Sequence, residues 1–286
     1  EKETIRLSTR ANRQHCQPGI SVNPASRLTR QKRIRHSSEN DCEGTMKVIA
    51  AYSHKGGTGK TTTLMMLANA IEARGQTALL VDCDPQQNFA MYRRNSQGEG
   101  FDYWSDRMDV IYLDFEGTTV RQLEEALLAA DESGKYDYAL LNLAGADHPF
   151  NRLALRYAEL TLVPFKPAAT ELAELTPALN VLKELEQESE VGQVRVLFTM
   201  MRSKLSAAQV LYKEAAEQQY PVMQTHIKET ALFADLVMRG LLARTIEGEE
   251  PHAQGLRKTE IGRMKEALAD CMGLLEEVNG IIGSEQ

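Results

Sequence analysis

Residues 55–62 read Lys55-Gly56-Gly57-Thr58-Gly59-Lys60-Thr61-Thr62, a run of lysine, glycine and threonine alone. Glycines at this density let successive backbone N–H groups turn inward toward phosphate oxygens, and a helix starting directly afterwards adds the positive end of its dipole. In such a loop the last lysine, Lys60, bridges β- and γ-phosphates, and the hydroxyl after it, Thr61, is a ligand for Mg²⁺. Binding or transfer of a phosphoryl group is the chemistry this spacing allows. The pattern GxxxxGK[ST] is broken only at its first position, where His54 replaces glycine; in exchange the loop carries a second lysine, Lys55, five residues before Lys60.

A loop of this kind works only between a buried strand and a helix, and the flanking residues supply both. Lys47–Ser53 (KVIAAYS) reads as a strand and Thr61–Arg74 as a helix. Strands follow at Thr77–Asp82, Val110–Leu113, Tyr138–Leu143, Leu160–Pro164, Val194–Met200 and Val222–Thr225. Helices are expected at Val120–Asp131, Thr170–Glu188, Ser206–Gln219, Glu229–Arg239 and from about Lys258 to Val278. Near-continuous apolar strands alternating with helices predict a three-layer α/β domain, its mainly parallel, twisted sheet covered by helices on both faces. Repetition at 20 to 50 residues is not apparent.

Length and charge narrow the function further. A chain of 286 residues with 42% hydrophobic side chains can bury a sizeable core, and its apolar runs all fall short of the ~20 residues that span a membrane. The formal net charge is −7. Residues 1–45 hold nine basic and five acidic side chains (+4), leaving 24 against 35 (−11) for residues 46–286. An acidic body makes DNA binding by overall charge improbable, so a local patch would have to carry it. The leader has no aromatic residue and no sustained periodicity, which predicts disorder. It is expected to be upstream sequence, with Met46 as the native start; a basic nucleic-acid arm and an organellar transit peptide are the alternatives. Cys16, Cys42, Cys83 and Cys271 lie far apart, without zinc-ligand spacing, and read as free thiols in a reducing compartment.

The KGGTGKTT loop is the deviant Walker A motif, and through it the chain resembles the ParA/MinD superfamily of P-loop ATPases. The resemblance implies ATP and Mg²⁺ as cofactors and a homodimer that sandwiches ATP, with Lys55 reaching the partner's nucleotide. Asp82-Cys83-Asp84-Pro85-Gln86 resembles the family's switch I motif, which implies that Asp84 positions the attacking water and that Asp82 supports Mg²⁺ through its water shell. Lys55, Lys60 and Asp84 are thus the implied catalytic groups. Leu162–Pro167 (LVPFKP) and Leu197–Val210 (LFTMMRSKLSAAQV) also resemble family segments, the second lying near the adenine in partition proteins.

One position departs from the pattern. The strand expected to end in the Walker B aspartate runs Tyr138-Ala139-Leu140-Leu141-Asn142, and the usual TPP after it is replaced by Leu143-Ala144-Gly145. An amide accepts a hydrogen bond from a Mg²⁺-bound water without the charge that strengthens it. Two readings follow: a slow ATPase served by Asp82 and Asp84, or a non-hydrolysing, nucleotide-dependent DNA-binding or localisation adaptor. Within the superfamily, Glu266–Ile282 carries four acidic and no basic residues, against a MinD-type membrane helix, and the cysteines do not suit an iron-protein relative. A small-molecule kinase or synthetase shares the loop but lacks visible acceptor-site residues here. The resemblance is greatest to the VirC-type branch, from Met46 to about Val278, including Arg202-x-x-Leu205-Ser206-x-x-Gln209 and Pro221–Leu242. It implies a bacterial cytoplasmic protein, associated with nucleoid or pole, that acts in partition or conjugative DNA transfer with DNA and a ParB-like or relaxosome protein. Arg239, Arg244, Arg257, Lys258, Arg263 and Lys265 are the candidate DNA contacts, and Arg93 and Arg94 could equally face a partner.

Overall fold

The computed structural model describes residues 46–114, 117–188, 191–235 and 240–284. The basic leader, its Cys16 and Cys42, and Arg239 lie outside them. Apolar runs with both faces buried can rest only inside a covered sheet, and six strands do so in parallel, in the order β5-β2-β6-β1-β7-β8. In chain order the strands are β1 (Lys47–Ala51), β2 (Ala78–Asp82), a small hairpin of β3 (Gln97–Gly98) and β4 (Phe101–Asp102), β5 (Met108–Tyr112), β6 (Tyr138–Asn142), β7 (Leu160–Phe165) and β8 (Gln193–Phe198). The helices are α1 (Lys60–Ala73), α2 (Asn88–Asn95), α3 (Val120–Glu132), α4 (Pro149–Tyr157), α5 (Ala169–Gln187), α6 (Ala207–Glu217), α7 (Ala231–Asp235), α8 (Leu242–Glu249) and α9 (Leu256–Gly283).

The core is split by the sheet into two layers. Side chains of α1, α8 and α9, with Phe89, Trp104 and Phe233, cover one face. Those of α3, α4 and α5, with Ala216 of α6, cover the other. The three-layer α/β architecture expected from the sequence is the one observed. Helix α9 packs its Met264, Cys271, Leu274, Leu275 and Val278 into the first layer. None of the described helices is long and apolar enough to cross a membrane.

Register decides what meets at the sheet's C-terminal edge. Ala51 of β1 and Asp82 of β2 both pair with Asn142 of β6, placing three strand ends level. Strand order reverses at β1, where sequential strands lie on opposite sides, and such a switch point opens a crevice for a ligand.

Several elements differ from the sequence expectation. The strand predicted at Val222–Thr225 is a single bridge, Val222 to Val196, because the N–H groups of Gln224 and Thr225 donate to the Glu277 carboxylate at 2.6 and 2.8 Å instead of to a strand. Of the helix expected over Glu229–Arg239, Ala231–Asp235 is helical as α7, Glu229 and Thr230 precede it outside the helix, and residues 236–239 lie outside the description. Helices α2, α4 and α8 were not expected. Helix α2 spans only eight residues and starts from Gln87 in the left-handed region (φ 49°), so its periodic signal is brief. Helix α4 did carry a signature: Pro149 in its first turn, after His148, whose ring nitrogen accepts from the Phe150 N–H.

Candidate phosphate-binding site

The loop between β1 and α1 is folded around its own lysine. Lys60 is buried, 6% exposed, and its Nζ donates to Ser53 Oγ and to the Lys55 carbonyl, each at 3.0 Å. Ser53 Oγ lies 2.8 Å from that same carbonyl and 3.0 Å from Thr58 Oγ1. These acceptors are neutral, so the ammonium keeps its charge within the loop. Burial pushes the Lys60 pKa down to about 8, with the nearby Asp84 carboxylate pulling in the opposite direction.

Two glycines are required by geometry. Gly59 has φ +102° and would set a Cβ 3.4 Å from the Thr199 side chain, whose hydroxyl donates to the Thr58 carbonyl at 2.9 Å. Gly145, just past β6, would place a Cβ 2.7 Å from the Lys55 carbonyl carbon. The turn holding Gly145 is fixed by Asn151, whose amide nitrogen donates to the carbonyls of Ala144 and Ala146 at 3.0 and 2.7 Å. Gly145 and Thr199 are thus site residues that spacing alone does not single out, although Gly145 follows the strand ending in Asn142 and Thr199 lies in the family-like segment Leu197–Val210. Gly56 and Gly57 are exposed at the loop's tip, Gly57 with φ +79°.

The other signature lysine points elsewhere. Lys55 Nζ forms an ion pair with Glu171 Oε1 of α5 at 2.6 Å, the glutamate side chain only 15% exposed. Nothing in the residue pattern had marked Glu171.

At the level strand ends a second constellation forms. Asn142 Nδ2 donates to Asp82 Oδ1 at 2.9 Å, and the Thr61 hydroxyl donates to Asn142 Oδ1 at 3.4 Å. Asp82 also accepts the Phe89 N–H on Oδ2 at 2.9 Å and the Asp84 N–H on Oδ1 at 3.3 Å. Desolvation raises its pKa, with those three hydrogen bonds acting to lower it. Asp84 is half-buried and accepts the Gln86 N–H at 3.0 Å. Every site residue expected from sequence, Lys55 through Thr62 with Asp82, Asp84 and Asn142, therefore belongs to the P-loop or to the strand ends beside it. Among the described residues no three His, Cys, Asp or Glu side chains gather as a metal cage. Thr61, Asp82 and Asn142 suit Mg²⁺ only as a partial shell, completed by phosphate oxygens and water, which matches that ion's reluctance to dehydrate.

Beside the loop, a cavity of about 250 Å³ is lined by Gly59, Thr62, Thr199, Met200, Ile227 and Phe233, among others. The neighbouring Arg202-x-x-Leu205-Ser206-x-x-Gln209 element has a structural explanation. Ser206 and Gln209 form a reciprocal capping box at the start of α6, and Arg202 pairs with Glu229 at 2.5 Å.

The proposed basic patch divides. Arg244 pairs with buried Glu72 at 2.8 Å, Arg257 with Glu249 and Glu260, and Lys265 with Glu250. Lys258 and Arg263 stand exposed, as do Arg93 and Arg94.

A family model described as VirC1 protein matches residues 46–283. The chain belongs to the VirC1 family. The protein virC1 of Rhizobium radiobacter is 27% identical over 203 residues, 70% of this chain and 84% of its own length. The chromosome-partitioning ATPase Soj of Thermus thermophilus is 31% identical over 184 residues, 56% of this chain and 72% of Soj. Among solved structures, the complex of McdA from Cyanothece with ATP superposes with a TM-score of 0.58 at 18% identity, over 80% of this chain and 97% of that one. The VirC1-family chain thus has the ParA/MinD-type P-loop fold that its loop and sheet order indicate.

Proposed function

We propose that this chain binds ATP with Mg²⁺, forms an ATP-dependent homodimer, hydrolyses ATP slowly, and serves DNA partition or conjugative DNA transfer. The observation carrying this reading is Lys60, buried with neutral acceptors at the start of α1 beside a cavity of about 250 Å³. A triphosphate competes well for an ammonium held by a hydroxyl and a carbonyl, because charge-assisted hydrogen bonds exceed neutral ones. Loop N–H groups and Lys60 would hold the phosphates, the Thr61 hydroxyl would be a ligand for Mg²⁺, and the cavity would receive the base. Mg²⁺, when bound, neutralises phosphate charge. Asp84 accepts a hydrogen bond from the attacking water. Lys55 serves the partner's nucleotide only after leaving Glu171, so dimerisation and release of that ion pair are one event.

The proposal sets the chain in the bacterial cytoplasm at the nucleoid or pole, with DNA and a ParB-like or relaxosome protein as partners; its likeness to a chromosome-partitioning ATPase supports the partition part of this reading. Light scattering of the purified chain with and without ATP tests the reading: dimer with ATP, monomer for Lys60→Ala under both conditions. A wild type that stays monomeric and binds no nucleotide overturns it. Asn142 at the Walker B position favours a second reading, a non-hydrolysing adaptor that retains ATP as a structural ligand. Single-turnover phosphate release separates the two; release from Asn142→Asp with none from wild type in the presence of DNA establishes the adaptor.

A further inference from the structure

We propose that Asn142 is an affinity-determining residue that lets this site hold a nucleoside triphosphate with little help from a divalent cation. The inference rests on the nucleotide-binding reading above. A carboxylate can only accept hydrogen bonds, so the amide nitrogen of Asn142 faces Asp82 at 2.9 Å and its carbonyl oxygen faces the Thr61 hydroxyl at 3.4 Å. Asn142 therefore joins the first hydroxyl of α1 to the buried end of β2 by a neutral bridge. All three side chains are joined by hydrogen bonds within the protein. Asp82 and Asn142 are both fully buried, so solvent does little to screen charge added there.

An aspartate at position 142 would set a second anionic oxygen about as close to Asp82 Oδ1 as the amide nitrogen is now, at 2.9 Å. Two carboxylates that close stay ionised together only with a divalent cation among them; without it they must take up a shared proton or else repel each other and the triphosphate at the adjoining loop. The amide removes one of those charges and supplies the donor that Asp82 needs. Asp84 contributes equally in either case and cancels from the comparison. Asn142 thus weakens the coupling between metal and nucleotide, and does so through binding whether or not hydrolysis follows.

The test is calorimetric titration of ATP into the full chain, once with excess MgCl₂ and once with EDTA. At a pH high enough to disfavour a shared proton, wild type is expected to lose roughly threefold in affinity without Mg²⁺, and Asn142→Asp on the order of 10- to 100-fold, because its carboxylate pair is then left without a cation. Moving the charge in the double variant Asp82→Asn/Asn142→Asp, which restores one carboxylate, is expected to return the ratio toward wild type. A purely structural role for Asn142 would not produce that rescue, and thermal melting identifies any variant that fails to fold, leaving the wild-type ratio and the double variant to decide. Wild type and Asn142→Asp with equal Mg²⁺ dependence overturn the inference while the nucleotide reading stands. Absence of ATP binding by wild type in both buffers overturns the nucleotide reading itself, and this inference with it.

Discussion

The phosphate loop and the C-terminal region around α8 and α9 both place basic side chains near a helix start, yet they use them oppositely. Lys60 is held by a hydroxyl and a carbonyl, so its positive charge stays available to a ligand. Arg244, Arg257 and Lys265 are held by carboxylates, so their charge is largely cancelled inside the molecule. Counting lysines and arginines along the sequence cannot tell these cases apart, because the difference lies in the partner. Lys55 falls between them: it sits in the loop but is paired with Glu171.

The largest effect expected from this contrast is at Lys60. Replacing it by alanine should weaken ATP binding by on the order of 100-fold, since hydrogen bonds to charged groups carry about 1.5–3 kcal/mol each; calorimetry measures it. The same lysine sets a pH dependence. Phosphate binding needs the ammonium, so wild-type affinity should fall as pH rises through about 8. Stability runs the other way: the unfolded chain keeps this proton up to the ordinary lysine value of 10.5, whereas the folded chain loses it from about 8. The unfolded state binds more protons in that window, so folding gains with pH there. Wild type should therefore gain in Tm relative to Lys60→Met between pH 8 and 10.

Gly145→Ala comes next. A methyl group 2.7 Å from the Lys55 carbonyl carbon must displace the loop, and overpacking of this kind costs about 1–3 kcal/mol. Loss of ATP affinity with little change in Tm would show that the loop, and not the core, gives way. Glu171→Gln should act in the opposite sense, freeing Lys55 and tightening ATP binding about two- to fivefold, the scale of a partly exposed ion pair. Unchanged affinity would mean that Glu171 does not compete with the nucleotide. The smallest effects are at the C-terminal patch. Lys258→Ala and Arg263→Ala should each reduce the salt slope of DNA binding by about 1, whereas Arg257→Ala should leave it unchanged; a reduced slope for Arg257→Ala would break the contrast.

Much of this molecule was legible from local signals. The glycine-lysine loop, the buried strands and the acidic end of β2 are contiguous patterns, and each lies where its pattern predicted. The elements that were missed are those whose logic is not contiguous. Helix α2 is too short for periodicity to declare it, and Val222–Thr225 fails as a strand because a carboxylate on α9 takes its N–H groups. Glu171, Thr199 and Gly145 become site residues only because β6, β8 and α5 return to the loop from distant parts of the chain. The Ser206–Gln209 element was legible as a likeness, but its hydrogen bonds make it a helix cap.

The sequence by itself determined the backbone chemistry of the loop and the family to which it belongs, since a phosphate cradle is built from neighbouring residues with permissive backbone angles. It also determined that position 142 carries an amide. Only the tertiary structure decided what that amide does. Parallel pairing of β6 with both β1 and β2 brings Asn142 level with Asp82, and burial there makes one negative charge, more or less, large enough to matter. The same holds for the surface arginines, whose charge is cancelled or displayed according to which carboxylate the fold brings within reach.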